Sequence, residues 1–392
     1  MIERRFTAPR VLAAALILGA AAFTAGAAHA QSDDVIKFGF ASPYSGSAAE
    51  WGPMHEASAA MAIEDINAAG GVTVDGKQYT LQLIRYDHAY DPTKVVTVAQ
   101  QAVHQDKVRF LEILGGGVIA AAQPITEPAG VILFGSGVGS AWVGPDHPLT
   151  FRSYYDTADT AIHALEYLKD QDTDAKSIVL MYPDDELGHN LAEAVIPAAE
   201  KLGFEAKAVF TGRDVTDFYP VLLNVMELKP DYIDFGPTPG SQYASMIRQA
   251  GELGYEGRFI FSDTVNLDAI KTAGVEDAVM GSIVTPAWVE FNTPVGQKWA
   301  ERYRERQGQI QPWTAQSYDN LLLLKAAIEK ANSFDTAEIA EALEEVSVEG
   351  VTGEVSYGGE DRIGIKRLLR VPASVGLIEQ GEDGPVVKQI DG

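Results

Sequence analysis

The sequence predicts an α/β fold in which two doubly wound, mostly parallel sheets form two lobes, and three observations predict it. Short apolar runs alternate with helical stretches along most of the chain, the pattern of parallel strands joined by right-handed crossovers. The alternation runs once to about residue 135 and starts afresh near residue 158. At 392 residues the chain is too long for one small core and suits two.

The first run opens on VIKFGF (35–40), an apolar stretch that reads as a buried strand. A helix follows over 54–69 with Ala59, Ile63 and Ile66 on one face, stopped by Gly70-Gly71. The strand 79–87, a helix over 93–104, the strand 108–114, a helix over 118–128 and the strand 130–135 complete it. The second run reads helix 158–170, strand 177–182, helix 187–202, strand 205–210, helix 217–228, strand 232–237, helix 241–253 and strand 258–263. Further helices are expected at 296–306 and 314–331, and TGEVSYGGEDRIG and KRLLRVP read as strands with turns. No low-complexity linker separates the runs, so ordinary strands are expected to join them.

Ahead of these elements, residues 1–30 carry a basic start, the apolar core VLAAALILGAAAFTAGA and the ending AHA. That order is a secretory signal peptide cleaved after Ala30, with an apolar core too short for a spanning helix. The chain holds 30 Lys and Arg against 55 Asp and Glu, a net charge of −25. Such a balance argues against nucleic acid and anionic lipid as partners and reads as a solvated acidic surface. No cysteine is present, which rules out disulfides, thiolate metal sites and thiol catalysis. The seven histidines are scattered without metal-ligand spacing, and no nucleophile elbow, zinc-protease motif or phosphate-loop lysine occurs. GSGVGS follows the fourth strand with the wrong glycine spacing for a dinucleotide site. No metal, cofactor or enzymatic activity is expected.

The loops after the strands share a character. SPYSGSAAEWG, DHAYDP, GGGVIAA, GSGVGSAW, YPDDELGHN, GPTPGSQY and SDTVNLD include several rich in glycine, serine and aromatic residues. Open α/β sheets bind ligands at the carboxyl ends of their strands, so these loops predict a cleft between the lobes.

Several longer stretches carry a resemblance. IKFGFASPYSGSAAEWGPMHEASAAMAIEDINAAGGV, YDHAYDPTKVVTVAQQAV, AAQPITEPAGVILF, GHNLAEAVIPAAEKLG and IRQAGELGYEGRFIFSD, in this order behind a signal peptide, resemble the Leu/Ile/Val-binding proteins of ABC transporters. The resemblance spans the chain after residue 30. It implies two Rossmann-like lobes of the type I periplasmic binding protein fold, joined by three hinge crossings and closing over one small molecule. It also implies a periplasmic monomer delivering that molecule to an ABC permease in the inner membrane. The lobes are expected at 31–152 plus about 284–355, and at 153–283 plus about 356–392.

Trp51 lies where the resembled family places an aromatic wall, with packing on the following helix as the alternative; Tyr44 stands at the same strand end. The family holds an amino acid's carboxylate with hydroxyl side chains, but here Val118, Ile119, Ala120 and Ala121 follow the third strand and Gly139 stands near an expected threonine. The backbone of Gly116, Gly117 and Val118 and of Gly137, Val138 and Gly139 is the expected anion cradle instead. Asp263 falls where the family holds the ligand's ammonium, and Thr238 where it supplies a contact from the second lobe. Of Tyr154 and Tyr155 one is expected to face the cleft, with Tyr155 chosen, and Trp288 is the candidate facing wall. An amino acid or related solute is the expected ligand. The alternatives are an aromatic carboxylate or other apolar acid in the same role, and a ligand-sensing subunit for a membrane receptor.

Overall fold

The computed structural model describes residues 34–390 except Ser47, Val138, Ser140, Thr264, 288–290 and Asn292. The leader read at 1–30, Val138 and Trp288 therefore lie outside the described residues. Among the described residues no helix is long and apolar enough to cross a membrane.

The chain begins with β1 (Val35–Ser42), β2 (Val72–Val74), β3 (Lys77–Asp87), β4 (Phe110–Leu114), β5 (Ile132–Ser136) and β6 (Thr150–Arg152). It crosses to a second sheet for β7 (Ser177–Pro183), β8 (Glu205–Thr211), β9 (Tyr232–Asp234), β10 (Arg258–Phe261) and β11 (Ile283–Val284). It returns to the first sheet for β12 (Ser347–Glu349), β13 (Glu354–Gly358) and β14 (Leu368–Arg370), and crosses last to the hairpin β15 (Gly376–Gly381) and β16 (Gly384–Gln389). The sheet orders are β12-β13-β14-β6-β5-β4-β1-β3-β2 and β16-β15-β11-β10-β9-β7-β8. Three passages between sheets give the three crossings implied by the resemblance.

Both sheets are covered on both faces, which is why their central strands read as apolar runs, interrupted by Glu112 on β4 and Asp234 on β9. On one face of the first sheet Phe38, Phe40, Phe110 and Phe134 bury against Trp299, Tyr303, Leu321 and Ile328 of the late helices. On the other, Leu111, Ile113 and Leu133 bury against Val95, Val98, Ile119 and Ala122. The second sheet repeats the arrangement, with Phe235, Phe259 and Phe261 beneath Met246 and Ile247, and Leu180 and Tyr182 beneath Leu165 and Val195.

The last crossing lies later than expected. The expected division gave 356–392 to the second lobe, but β13 and β14 belong to the first sheet, β14 pairing in parallel with β6. Leu368 and Leu369 are buried in the two cores of that lobe, so only the hairpin from Gly376 onward joins the second sheet. Short hairpin strands with few apolar residues carry no signal of which sheet edge they join.

In each sheet the strand order reverses beside the first strand, at β1 between β3 and β4 and at β7 between β8 and β9. Ligands of open α/β sheets bind at this switch point, off the strands' carboxyl ends.

Candidate ligand-binding cleft

The loops leaving these strand ends form one cleft with about 890 Å³ of empty space, its open mouth included. From the first lobe it takes Glu50, Trp51 and His55 after β1, Tyr90 after β3, Gly115 and Gly116 after β4, and Gly137 after β5. From the second it takes Leu187, Thr238, Tyr243, Asp263 and Asn266. Tyr154 at the first crossing and Gln311 and Trp313 near the second close its hinge side.

Trp51 is the first residue of the helix Trp51–Ala68, which starts three residues before the expected 54. The loop before it is held by Asp87 at the end of β3, whose carboxylate accepts from Tyr44 N–H at 3.0 Å, Ser45 Oγ–H at 2.8 Å and Ala89 N–H at 2.8 Å. Ala89 and Tyr90 both take left-handed φ, 50° and 59°, at a cost of about 1 kcal/mol each. That turn carries the Tyr90 ring over Gly115 and edge-on to Trp51, with centroids 5.9 Å apart. A Cβ on Gly115 would sit 2.5 Å from the Tyr90 ring, so glycine is required there. The same holds at Gly137, where a Cβ would lie 2.5 Å from the Gly116 nitrogen.

The helix Gly116–Thr126 therefore presents its N-terminus to the cleft, where the first N–H groups of a helix have no partner inside it. Gly117 stands beside it, facing Glu186 of the second lobe at 3.6 Å from its would-be Cβ. Val118 does not contribute as expected. Its N–H donates to the Gly115 carbonyl at 3.3 Å and its side chain is buried in the core. Gly139, at φ 98°, shapes a turn near Asn190 and Trp142 and is not part of the cleft wall.

On the second lobe Asp263 puts a carboxylate in the cleft wall. Burial raises its carboxyl to about 6, while donors at Tyr155 and Thr157 and the charge of Arg213 pull the other way. Tyr154 O–H donates to Tyr155 at 3.1 Å, and Tyr155 O–H donates to Asp263 Oδ1 at 2.6 Å. Tyr154 lines the cleft and Tyr155 stands behind it, which reverses the expected choice between them. The two rings stack at 4.3 Å, so only one can face outward. Thr238 is in the wall, its hydroxyl turned to the Met181 carbonyl at 3.4 Å. Tyr44 is not in the cleft. Its ring lies under the Arg85 guanidinium, 3.6 Å from the centroid, and packs half-buried against the first-lobe core.

Sequence reading missed Tyr90, Tyr243, Trp313, Gln311 and His55. Tyr90 sits in DHAYDP, a strand-end loop whose aromatic was a usable signal. Tyr243 ends GPTPGSQY, another strand-end stretch, while His55 lies inside a helix and Trp313 in a helix connection, so only packing brings those two here. His55 stacks obliquely on Trp313 at 4.7 Å, and burial lowers its imidazole to about 3, keeping it neutral. Among the described residues no lysine or arginine lines the cleft, whereas Glu50 and Asp263 do. At its rim Arg213 of the second lobe donates to Asp185 at 2.6 Å and lies 5.9 Å from the Trp51 ring centroid of the first.

Comparison with known proteins agrees with the fold. The periplasmic binding protein family's sequence profile matches residues 35–371. The chain is 28% identical over 356 residues to a leucine-, isoleucine-, valine-, threonine- and alanine-binding protein of Pseudomonas aeruginosa, covering 89% of this chain and 91% of that one. Its fold is similar to a leucine-binding protein of Thermotoga maritima, with a TM-score of 0.75 at 22% identity over 91% of this chain and 99% of the other. A solute-binding protein of an ABC transporter from Rhodopseudomonas palustris, in complex with 3,4-dihydroxybenzoic acid, matches with a TM-score of 0.75 at 19% identity over 92% and 98% of the two chains.

Proposed function

We propose, from the premise that this chain belongs to the periplasmic binding protein family, that it is the substrate-binding component of an ABC importer and closes its two lobes over one amino acid. The family is one of substrate-binding transport proteins, and the chain is not an enzyme. The observation that carries the amino-acid reading is the pairing of opposite polarities in one cleft. Gly116 offers the N–H end of a helix from one lobe, and Asp263 offers a buried carboxylate from the other. A zwitterion satisfies both, its carboxylate at the helix start and its ammonium at Asp263. Among the described residues no lysine or arginine is in the wall, and Arg213 at the rim is paired with Asp185, so a purely anionic ligand meets no free cationic side chain there. Contacts to both lobes exist only when they are closed, so binding shifts the population toward the form a permease would read. Cleavage after Ala30 and a monomeric state complete the reading.

One observation favours a second ligand class. Trp51, Tyr90, Tyr154, Tyr243 and Trp313 surround the space, more ring surface than an aliphatic side chain needs. An aromatic acid would use those faces, with Asp263 protonated. Thermal unfolding of the purified protein separates the two, since a ligand binding only the native state raises the midpoint. Leucine, valine and alanine are expected to raise it. A rise with 4-hydroxybenzoate or 3,4-dihydroxybenzoate alone would overturn the amino-acid reading in favour of the aromatic acid.

A further inference from the structure

Glu112 is a carboxylate in the middle of a parallel sheet, fully buried on β4 with Phe40 and Phe134 as its register neighbours. Packing gives no reason for it, and its two oxygens are occupied in a definite order. Tyr357 O–H donates to Asn320 Oδ1 at 2.8 Å, which turns the Asn320 amide nitrogen to Glu112 Oε2 at 3.3 Å. Ser317 Oγ–H donates to Glu112 Oε1 at 2.7 Å. Having given its proton to Glu112, Ser317 Oγ can only accept from His55 Nδ1, 3.1 Å away. His55 is then the Nδ1–H tautomer, and Nε2, which has no partner among the described residues, is a bare lone pair on a ring that lines the cleft.

We propose that Glu112, acting through Ser317, sets the tautomer of His55 and so decides whether the first lobe shows the ligand a hydrogen-bond acceptor or a donor. With Glu112 ionised the chain runs His55 to Ser317 to Glu112, and the cleft meets an acceptor. With a proton on Glu112 Oε1 it reverses. Glu112 donates to Ser317, Ser317 donates to His55 Nδ1, and the imidazole proton moves to Nε2 by exchange with water. The Asn320 bond to Oε2 serves both states, so only the branch toward the cleft changes. Burial lifts Glu112 to about 7, against the pull of Ser317 and Asn320, which places the reversal near neutral pH. The other ionisable groups around it are His55 on the helix above and Tyr357 on β13, both neutral there. Asp319, on the same helix as Ser317, directs its carboxylate to the Val351 N–H at 2.7 Å, and Arg367 lies over the Phe151 ring. This inference rests on the cleft being the ligand site. It makes Glu112 a positioning residue that matches the cleft to ligand donors above the reversal.

Nitrogen-15 spectra of the histidine rings in the full mature protein test the tautomer without any ligand, with H55Q assigning the signals. The expected result is Nδ1–H above about pH 7 and Nε2–H below. E112Q, whose amide must donate to Ser317, is expected to hold Nε2–H throughout, and S317A to lose the pH response. One tautomer across pH 5–9 in the wild type, or an unchanged reversal in S317A, overturns the proposal. Calorimetry with leucine as the probe reads the consequence: affinity about fivefold weaker in E112Q than in wild type at pH 8, the factor for one lost acceptor. Equal affinities there would refute the functional half while leaving the amino-acid reading intact. A wild type that binds no leucine at all strikes that reading instead, and the spectra still decide the tautomer.

Discussion

The two walls of the cleft are built from different chemistry. Apart from the solvent-exposed Glu50, the first lobe offers backbone and rings: the helix start at Gly116, the glycines that let Tyr90 and Gly137 pack against it, and a neutral imidazole at His55. The second lobe offers a single carboxylate, Asp263, backed by the hydroxyls of Tyr155 and Tyr154. Backbone N–H groups recognise any anion, whereas a buried carboxylate accepts only a donor or a proton of its own. The division predicts that the first lobe sets how tightly the ligand's anionic end is held, and the second decides which ligands are admitted.

Asp263→Asn is the strongest way to break that comparison. Losing a charge-assisted bond inside a closed cleft is expected to weaken leucine about 100-fold, or close to 3 kcal/mol. The same substitution is expected to leave an aromatic acid unaffected or bound more tightly. Calorimetry with leucine and 4-hydroxybenzoate measures both, and equal losses for the two would end the idea that the second lobe selects.

How much of this was legible in the chain follows the same division. Trp51, Gly116, Gly137, Thr238 and Asp263 each follow a strand, and strand ends are where the loops of α/β sheets form clefts, so their places in the cleft wall were readable from position. Tyr44 shares Trp51's loop yet points at Arg85 on the next strand, because loop position does not fix side-chain direction. His55 and Trp313 enter the cleft through helix packing, which no local pattern records. The order of the lobes was plain from alternation, but the return of β13 and β14 to the first sheet was not, since that edge is decided by β6 about 200 residues earlier.

A smaller effect sharpens the comparison at its rim. Arg213 from one lobe lies over Trp51 from the other, and its two terminal nitrogens are buried without a hydrogen-bond partner among the described residues. A cation over an indole shielded from water contributes roughly 1–2 kcal/mol, and here it is gained only on closure. Trp51→Ala and Arg213→Ala are each expected to weaken leucine about tenfold, chiefly by faster release. Because both remove one contact, the double variant is expected to lose little more than either alone. Full additivity would return Trp51 to packing on the ligand and Arg213 to its ion pair with Asp185.

The smallest change tests the support rather than the anchor. Tyr155→Phe removes the hydroxyl that donates to Asp263 Oδ1 at 2.6 Å and keeps the stacked ring. Asp263 already stands at about 6 through burial, and losing a donor to its charged form raises it by roughly one further unit. At pH 7 the ionised fraction then falls from about nine-tenths to about one-half, so leucine affinity drops about twofold and recovers above pH 8.5. Stability has its own sign. A carboxyl raised on folding contributes stability that is present below its unfolded value, near 4, and lost as pH rises through its folded value, about 6 in the wild type. Tyr155→Phe extends that loss toward pH 7, so its unfolding midpoint should keep falling over an interval where the wild type has levelled off. An affinity deficit that is the same at every pH would mean that Tyr155 positions Asp263 by packing and that its hydroxyl leaves the charge alone.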